Sequence, residues 1–124
     1  MEELLHYAWK HKIFPLHELR TREGETVEVI DPGLKNPDAG PDFFNAKLRI
    51  GTTLWVGNVE IHDRSSDWVR HGHDTDPAYA SVVLHVAAEL DADVTDCHGR
   101  HVPQLLLPYP VSLAERYDGL RHAD

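Results

Sequence analysis

The sequence predicts an α/β (α+β) domain: a single mixed β-sheet flanked by helices. Three patterns carry that expectation. Leu4, Leu5, Ala8 and Trp9 recur at helical spacing, Phe43–Ile50 and Thr53–His62 alternate at strand spacing, and Val82–Val86 is apolar almost throughout. Taken in chain order, the elements read helix, strand, hairpin, short helix, strand, hairpin, helix, which is the pattern of helices packed on one sheet.

The first helix is expected over residues 3 to about 20, with Glu2 and Glu3 at the positive end of its dipole and a break near Phe14 imposed by Pro15. Thr26–Ile30 reads as a short strand, Val27 and Val29 alternating against Glu28. Pro32, Gly33, Pro37, Gly40 and Pro41 crowd residues 31–41, a composition that neither a helix nor a central strand tolerates, so an ordered loop is expected there. Phe43–Ile50 and Thr53–His62 then form a hairpin across Gly51 and Thr52. Parity groups Phe44, Ala46, Leu48 and Ile50 on one face of its first strand. On the second, Trp55, Val59 and Ile61 oppose Asn58, Glu60 and His62, and Gly57 allows a close backbone approach.

Ser65–His71 reads as a short helix capped by Ser65 or Ser66 and stopped at Gly72. A strand over Ser81–Ala87 follows Pro77, and its apolar density implies burial on both faces. Val94 and Val102–Leu107 are expected to pair as a second hairpin across Cys97, His98 and Gly99. An amphipathic helix from Ser112 to about Leu120 follows Pro108 and Pro110.

At 124 residues, 41% apolar and 27% charged, residues 1–124 form one soluble globular domain. No apolar run approaches the roughly 20 residues that span a bilayer. The acidic N-terminus is no signal peptide, and the lone Cys97 cannot form an internal disulfide; together these favour the cytoplasm. Twelve Lys and Arg against 21 Asp and Glu give a net charge of −9, which counts against gripping a duplex by its phosphates. A nuclease stays open, because a carboxylate site becomes electropositive only with its metal. Ten histidines raise the expectation of a metal site.

Two clusters carry chemistry. Pro41-Asp42 and Val59-Glu60-Ile61-His62 set two carboxylates and an imidazole on adjacent strands, hard oxygen donors beside a group that can handle a proton. The plain alternative is a turn cap at Asp42 and a solvent-facing Glu60. His71-Gly72-His73, with Asp74 and Asp76 nearby, suits Zn²⁺, Mn²⁺ or Fe²⁺ if His62 or His85 joins it. His85 interrupts an apolar run, so it must have a partner, and a hydrogen-bonded core imidazole is the commoner role. Trp9, Trp55 and Trp68 read as core residues, Glu89, Asp91, Asp93 and Asp96 as a solvated hairpin edge, and Cys97 as a turn residue.

Helix, three strands, helix, strand, with Asp42 before the second strand and Glu60 in the third, resembles the restriction-endonuclease-like αβββαβ core of the PD-(D/E)xK nuclease-like superfamily. The resemblance implies that Asp42, Glu60 and the Ile61 carbonyl hold Mg²⁺ or Mn²⁺. His62 stands where that superfamily has a lysine; it offers no permanent charge but can bind metal or act as a base near neutral pH. Lys47 could replace the ammonium, although parity groups it with Asn45 and Arg49, away from Glu60. Gly40-Pro41-Asp42-Phe43, Trp55 to His62, Ser66-Asp67-Trp68, His71-Gly72-His73, Asp76-Pro77-Ala78-Tyr79 and Leu84-His85-Val86 also resemble, over nearly the whole chain, the N-terminal part of an uncharacterised bacterial family, a domain of unknown function. That likeness implies that the chain is the N-terminal part of a longer protein.

Three functions follow as expectations. The first is a metal-dependent phosphodiesterase of nuclease type, with Asp42, Glu60 and His62 catalytic and a nucleic-acid single strand or end as substrate. The second is a non-catalytic module for a partner or for homo-oligomerisation, signalled by an exposed apolar patch near Leu105–Leu107 or on the final helix. The third is a histidine-rich hydrolase using Zn²⁺ or Fe²⁺ on His62, His71, His73 and His85.

Overall fold

Three strands run antiparallel and the next two join them in parallel, so one sheet carries both hydrogen-bond patterns. The computed structural model describes residues 1–109. The elements are α1 (Glu2–Lys10), β1 (Val27–Asp31), β2 (Leu34–Lys35), β3 (Phe43–Ile50), β4 (Thr53–Arg64), α2 (Asp67–Arg70), β5 (Val82–Glu89) and β6 (Gln104–Leu106), with 3₁₀ turns at His73–Thr75 and Pro77–Tyr79. The six-stranded sheet has the order β1-β3-β4-β5-β6, with β2 paired to β3 off that path. β3 runs antiparallel to both β1 and β4, whereas β4–β5 and β5–β6 are parallel. This is the α+β class that the patterning predicts. No helix among the described residues is long and apolar enough to cross a membrane.

α1 is shorter than its apolar periodicity suggests. His11 caps it, Lys12 turns left-handed at φ 55°, and the Lys12 and Ile13 N–H groups donate to Trp9 O (3.1 Å) and Ala8 O (2.8 Å). That is a Schellman ending with lysine where glycine is usual, and it stops the helix before Pro15 can act. The expected loop over 31–41 contains a two-residue strand, β2, whose Leu34 and Lys35 pair with Phe44 and Phe43. The expected helix after Pro110 lies outside the described residues.

A bulge corrects the parity of β3. Asn45 sits at φ 57° where the β3–β4 register shifts between Phe43 and Ala46, so Phe43 joins the core and Phe44 faces out. The extra residue displaces everything before it by one position. Trp55 is 40% exposed, unlike the fully buried Trp9 and Trp68, because it lies on the turn-proximal half of the hairpin with exposed Leu54 and Val56. Gly57 is a steric requirement: a Cβ there would stand 2.4 Å from Val83 Cγ1 on the neighbouring strand.

The second hairpin is reduced to a bridge between Thr95 and His101, a Val102 N–H to Val94 O bond of 3.0 Å and an Asp96 N–H to Arg100 O bond of 2.9 Å. β6 leaves it to pair in parallel with β5. Asp96 is 4% exposed rather than solvated; its carboxylate accepts from the His98 and Arg100 N–H groups and closes the turn. Ser66 occupies the N-cap of α2 without a side-chain cap bond, since its hydroxyl donates to Asp91 at 2.8 Å.

Leu5, Ala8 and Trp9 of α1 pack with Val29, Phe43, Leu48, Val59, Ile61, Leu84 and Val86 in the larger core. A smaller cluster comprises Trp68, Tyr79, Val82, Val94 and Val102. Each buried side chain of this size contributes about 1.5–3 kcal/mol. β5 is buried from Val82 to Val86 without interruption, so its His85 is as dry as its valines.

Candidate metal centre

Alternation along β4 puts Val59 and Ile61 in the larger core and sends Glu60 and His62 to the opposite face, where both are buried at 4% and 2% exposure. The solvent-facing reading of Glu60 therefore fails. Parallel pairing sets His85 of β5 directly beside Glu60. After α2, Gly72 turns left-handed at φ 74°, which lets His71 and His73 return toward the sheet. Their rings reach His62, with centroid separations of 5.1 Å for His71 and 5.3 Å for His73. Tyr79 stacks on His73 at 3.6 Å.

Asp42 arrives on the proline-rich loop, whose shape is held by Asn36. The Asn36 amide donates to Ala39 O (3.0 Å) and Pro41 O (2.9 Å), while its oxygen accepts from the Asp38 N–H. Asp42 then locks to β4 from both ends. Its own N–H donates to Glu60 Oε1 (3.1 Å), and its Oδ2 accepts from the Ile61 N–H (2.8 Å). Ile61 thus touches Asp42 through its backbone, while its side chain is in the apolar core. Lys47 is exposed opposite Val56. A different lysine, Lys35 of β2, donates to His6 Nδ1, and His6 Nε2 lies 3.6 Å from Asp42 Oδ2.

A chain of hydrogen bonds assigns the ring tautomers. Gln104 Nε2 donates to Ala92 O (2.8 Å), which leaves Gln104 Oε1 to accept from His85 Nδ1 (3.1 Å). His85 Nε2 is then a lone pair and accepts from His62 Nδ1–H (2.8 Å). His62 Nε2 is in turn a lone pair, 3.3 Å from Glu60 Oε2. The same Glu60 oxygen lies 2.9 Å from His73 Nε2, and His73 Nδ1 is shielded with no hydrogen-bond partner. Two acceptors facing each other require a proton or a cation between them.

The electrostatics agree with that requirement. Burial, then the Asp42 carboxylate, pushes Glu60 up to about 10, so without a metal it holds a proton. Burial, then the His85 imidazole and its histidine neighbours, pushes His62 down to about 2. His85 falls to about 4, chiefly through burial, against the opposing pull of the Gln104 oxygen. Burial also lowers His73. These imidazoles are neutral at physiological pH, the form that ligates metals.

His62, His71 and His73 offer ligand atoms that all lie within 4.8 Å of one another, with Glu60 against two of them. Three imidazoles, one of them with a bare buried ring nitrogen, and a carboxylate fit a divalent transition metal such as Zn²⁺, Mn²⁺ or Fe²⁺. His71 is exposed and opens this set to solvent. His85 sits behind His62 as its hydrogen-bond partner rather than in the group. Sequence reasoning missed Gln104, His6, Glu2, Lys35 and Asn36, which act from remote positions without motif spacing. The apolar run around His85 was the one available signal, since it demanded a partner.

The chain belongs to the family described as "Protein of unknown function (DUF2851)", which matches residues 2–124. No curated protein and no solved structure matches it.

Proposed function

We propose that this DUF2851 domain is a metal-dependent hydrolase of phosphodiesters, its divalent cation held by His62, His71 and His73 beside Glu60. The observation that carries the reading is the convergence of those three imidazoles on a buried carboxylate, with donor atoms within 4.8 Å. A bound Zn²⁺, Mn²⁺ or Fe²⁺ would act there as a Lewis acid, activating water and offsetting negative charge on the reacting phosphoryl oxygens.

The chain's own groups supply the rest. Gln104 and His85 keep the His62 proton on Nδ1 and aim its Nε2 lone pair at the centre. Asp42, pinned by the Ile61 N–H, raises the proton affinity of Glu60, which suits Glu60 to accept a proton from water and release it later. His71 faces solvent, where a substrate enters. The phosphodiester assignment draws on the resemblance carried by Pro41-Asp42 and Glu60-Ile61-His62. The net charge of −9 directs it to a single strand or an end rather than a duplex. A cytoplasmic location belongs to the same proposal.

The Asp42–Glu60 contact favours a second reading, in which Mg²⁺ or Mn²⁺ binds that carboxylate pair. A partner-binding module finds less support at the place first expected: Leu105 and Leu107 are each 1% exposed, leaving only Leu106 at the surface.

The test is turnover of a chromogenic phosphodiester and of a single-stranded oligonucleotide by metal-loaded protein. Glu60→Gln should cost about a hundredfold or more in kcat, and chelation should abolish activity. Metal-loaded protein that cleaves neither substrate overturns the phosphodiesterase assignment.

A further inference from the structure

A second group of donors lies against the first. Glu2 and His6, one turn apart on α1, meet Asp42: His6 Nε2 is 3.4 Å from Glu2 Oε1 and 3.6 Å from Asp42 Oδ2. The ligand atoms of these three residues also lie within 4.8 Å of one another. The two groups are continuous, because Asp42 N–H donates to Glu60 Oε1 while Glu60 Oε2 faces His62 and His73.

A second observation marks a poorly satisfied ring nitrogen in each. Among the described residues, two shielded side-chain polar atoms lack a hydrogen-bond partner, His73 Nδ1 and His6 Nε2. One falls in each group. Their side chains are only 9% and 16% exposed, so water does not readily relieve either nitrogen.

We propose that the centre has two cation positions, the second formed by Glu2, His6 and Asp42. Two carboxylate oxygens and one imidazole suit Mn²⁺ best, harder than the histidine-rich position prefers. The inference rests on the metal-centre reading above.

Lys35 sets the strength of this second position. Its ammonium donates to His6 Nδ1, which places the His6 proton on Nε2, the nitrogen that faces the two carboxylates. A cation can take Nε2 only when that proton moves to Nδ1 and Lys35 withdraws. Lys35 also adds a positive charge beside the position. The second cation therefore binds more weakly than the first.

Counting bound Mn²⁺ on the full chain, by calorimetry with free Mn²⁺ followed by electron paramagnetic resonance, tests this directly. The wild type should take two equivalents in two steps. His6→Ala should remove the weaker step and keep the tighter one, and His73→Ala should weaken the tighter one. Lys35→Met should tighten the weaker step about three- to tenfold by removing a nearby charge. Circular dichroism checks that each variant is folded. One equivalent in the wild type, lost in His73→Ala, overturns the second position and leaves the first standing. A weaker step unchanged by both His6→Ala and Lys35→Met overturns it as well. No binding at all overturns both.

Discussion

The two faces of β4 are equally dry and are held together by different physics. Toward α1, Val59 and Ile61 are fully buried among apolar side chains. On the other side Glu60 and His62 are at 4% and 2% exposure, surrounded by His85, His73, Asp42 and Gln104. Apolar burial stabilises the first face without conditions. The second is stable only while every donor meets an acceptor, and one of its ring nitrogens meets none. Expense of that kind, concentrated on one face, marks where the molecule is built for something other than folding.

Substitutions on each face should separate the two roles. The largest loss of stability is expected for Trp9→Ala, which empties the α1 side and breaks the Trp9 Nε1–H bond to Pro32 O of 2.9 Å. Chemical denaturation should register about 3–5 kcal/mol, with metal affinity per folded molecule unchanged. Gly57→Ala should come next, because its Cβ would meet Val83 Cγ1 at 2.4 Å. About 1–3 kcal/mol is expected in the same assay, and a neutral result would contradict the close β4–β5 approach.

His85→Ala should act in the opposite sense. His85 is not one of the grouped imidazoles but holds His62 by a hydrogen bond, so its loss should free His62 to rotate and change tautomer, and metal affinity should fall about 10- to 100-fold. Equilibrium dialysis against a fluorescent chelator measures this, and full retention of affinity would remove His85 from the centre.

The smallest effect is a shift in the pH of greatest stability. Glu60 is raised from 4.5 to about 10, so its contribution is complete below 4.5 and declines as pH climbs toward 10. His62 and His85 are lowered from 6.5, to about 2 and about 4, so theirs is complete above 6.5 and declines as pH falls toward those values. With two imidazoles acting against one carboxylate, metal-free protein should accordingly melt highest near the ordinary histidine value of 6.5. Saturating Zn²⁺ or Mn²⁺ should displace the Glu60 proton and move that maximum upward. Melting curves across pH, with and without metal, read both effects; a maximum that stays put on adding metal would contradict the link between Glu60 and the cation.

The contrast between faces also explains what was legible in the sequence. β3, β4 and β5 follow directly from alternation and apolar density, which are local properties. The Schellman end at Lys12, the bulge at Asn45 and the two-residue β2 depend on left-handed residues that are not glycine or on an edge pairing, and no periodicity announces them. β6 was legible as a strand but not as the parallel partner of β5, because its neighbour is chosen by tertiary packing. Asp42, Glu60, His62, His71, His73 and His85 stand out as residue types in suggestive spacing, and the fold brings all six into one neighbourhood. Their division of labour was not legible. It depends on Gln104 turning its oxygen toward His85, and on His6 and Lys35 approaching Asp42 from α1 and β2, contacts between segments far apart in the chain.

Anomalous diffraction from crystals soaked in Zn²⁺ or Mn²⁺ tests the metal centre most directly. The expected result is a strong peak among the ring nitrogens of His62, His71 and His73, within bonding distance of them, beside the Glu60 carboxylate. Density that stays empty there at saturating metal, with those imidazoles still in place, would contradict it.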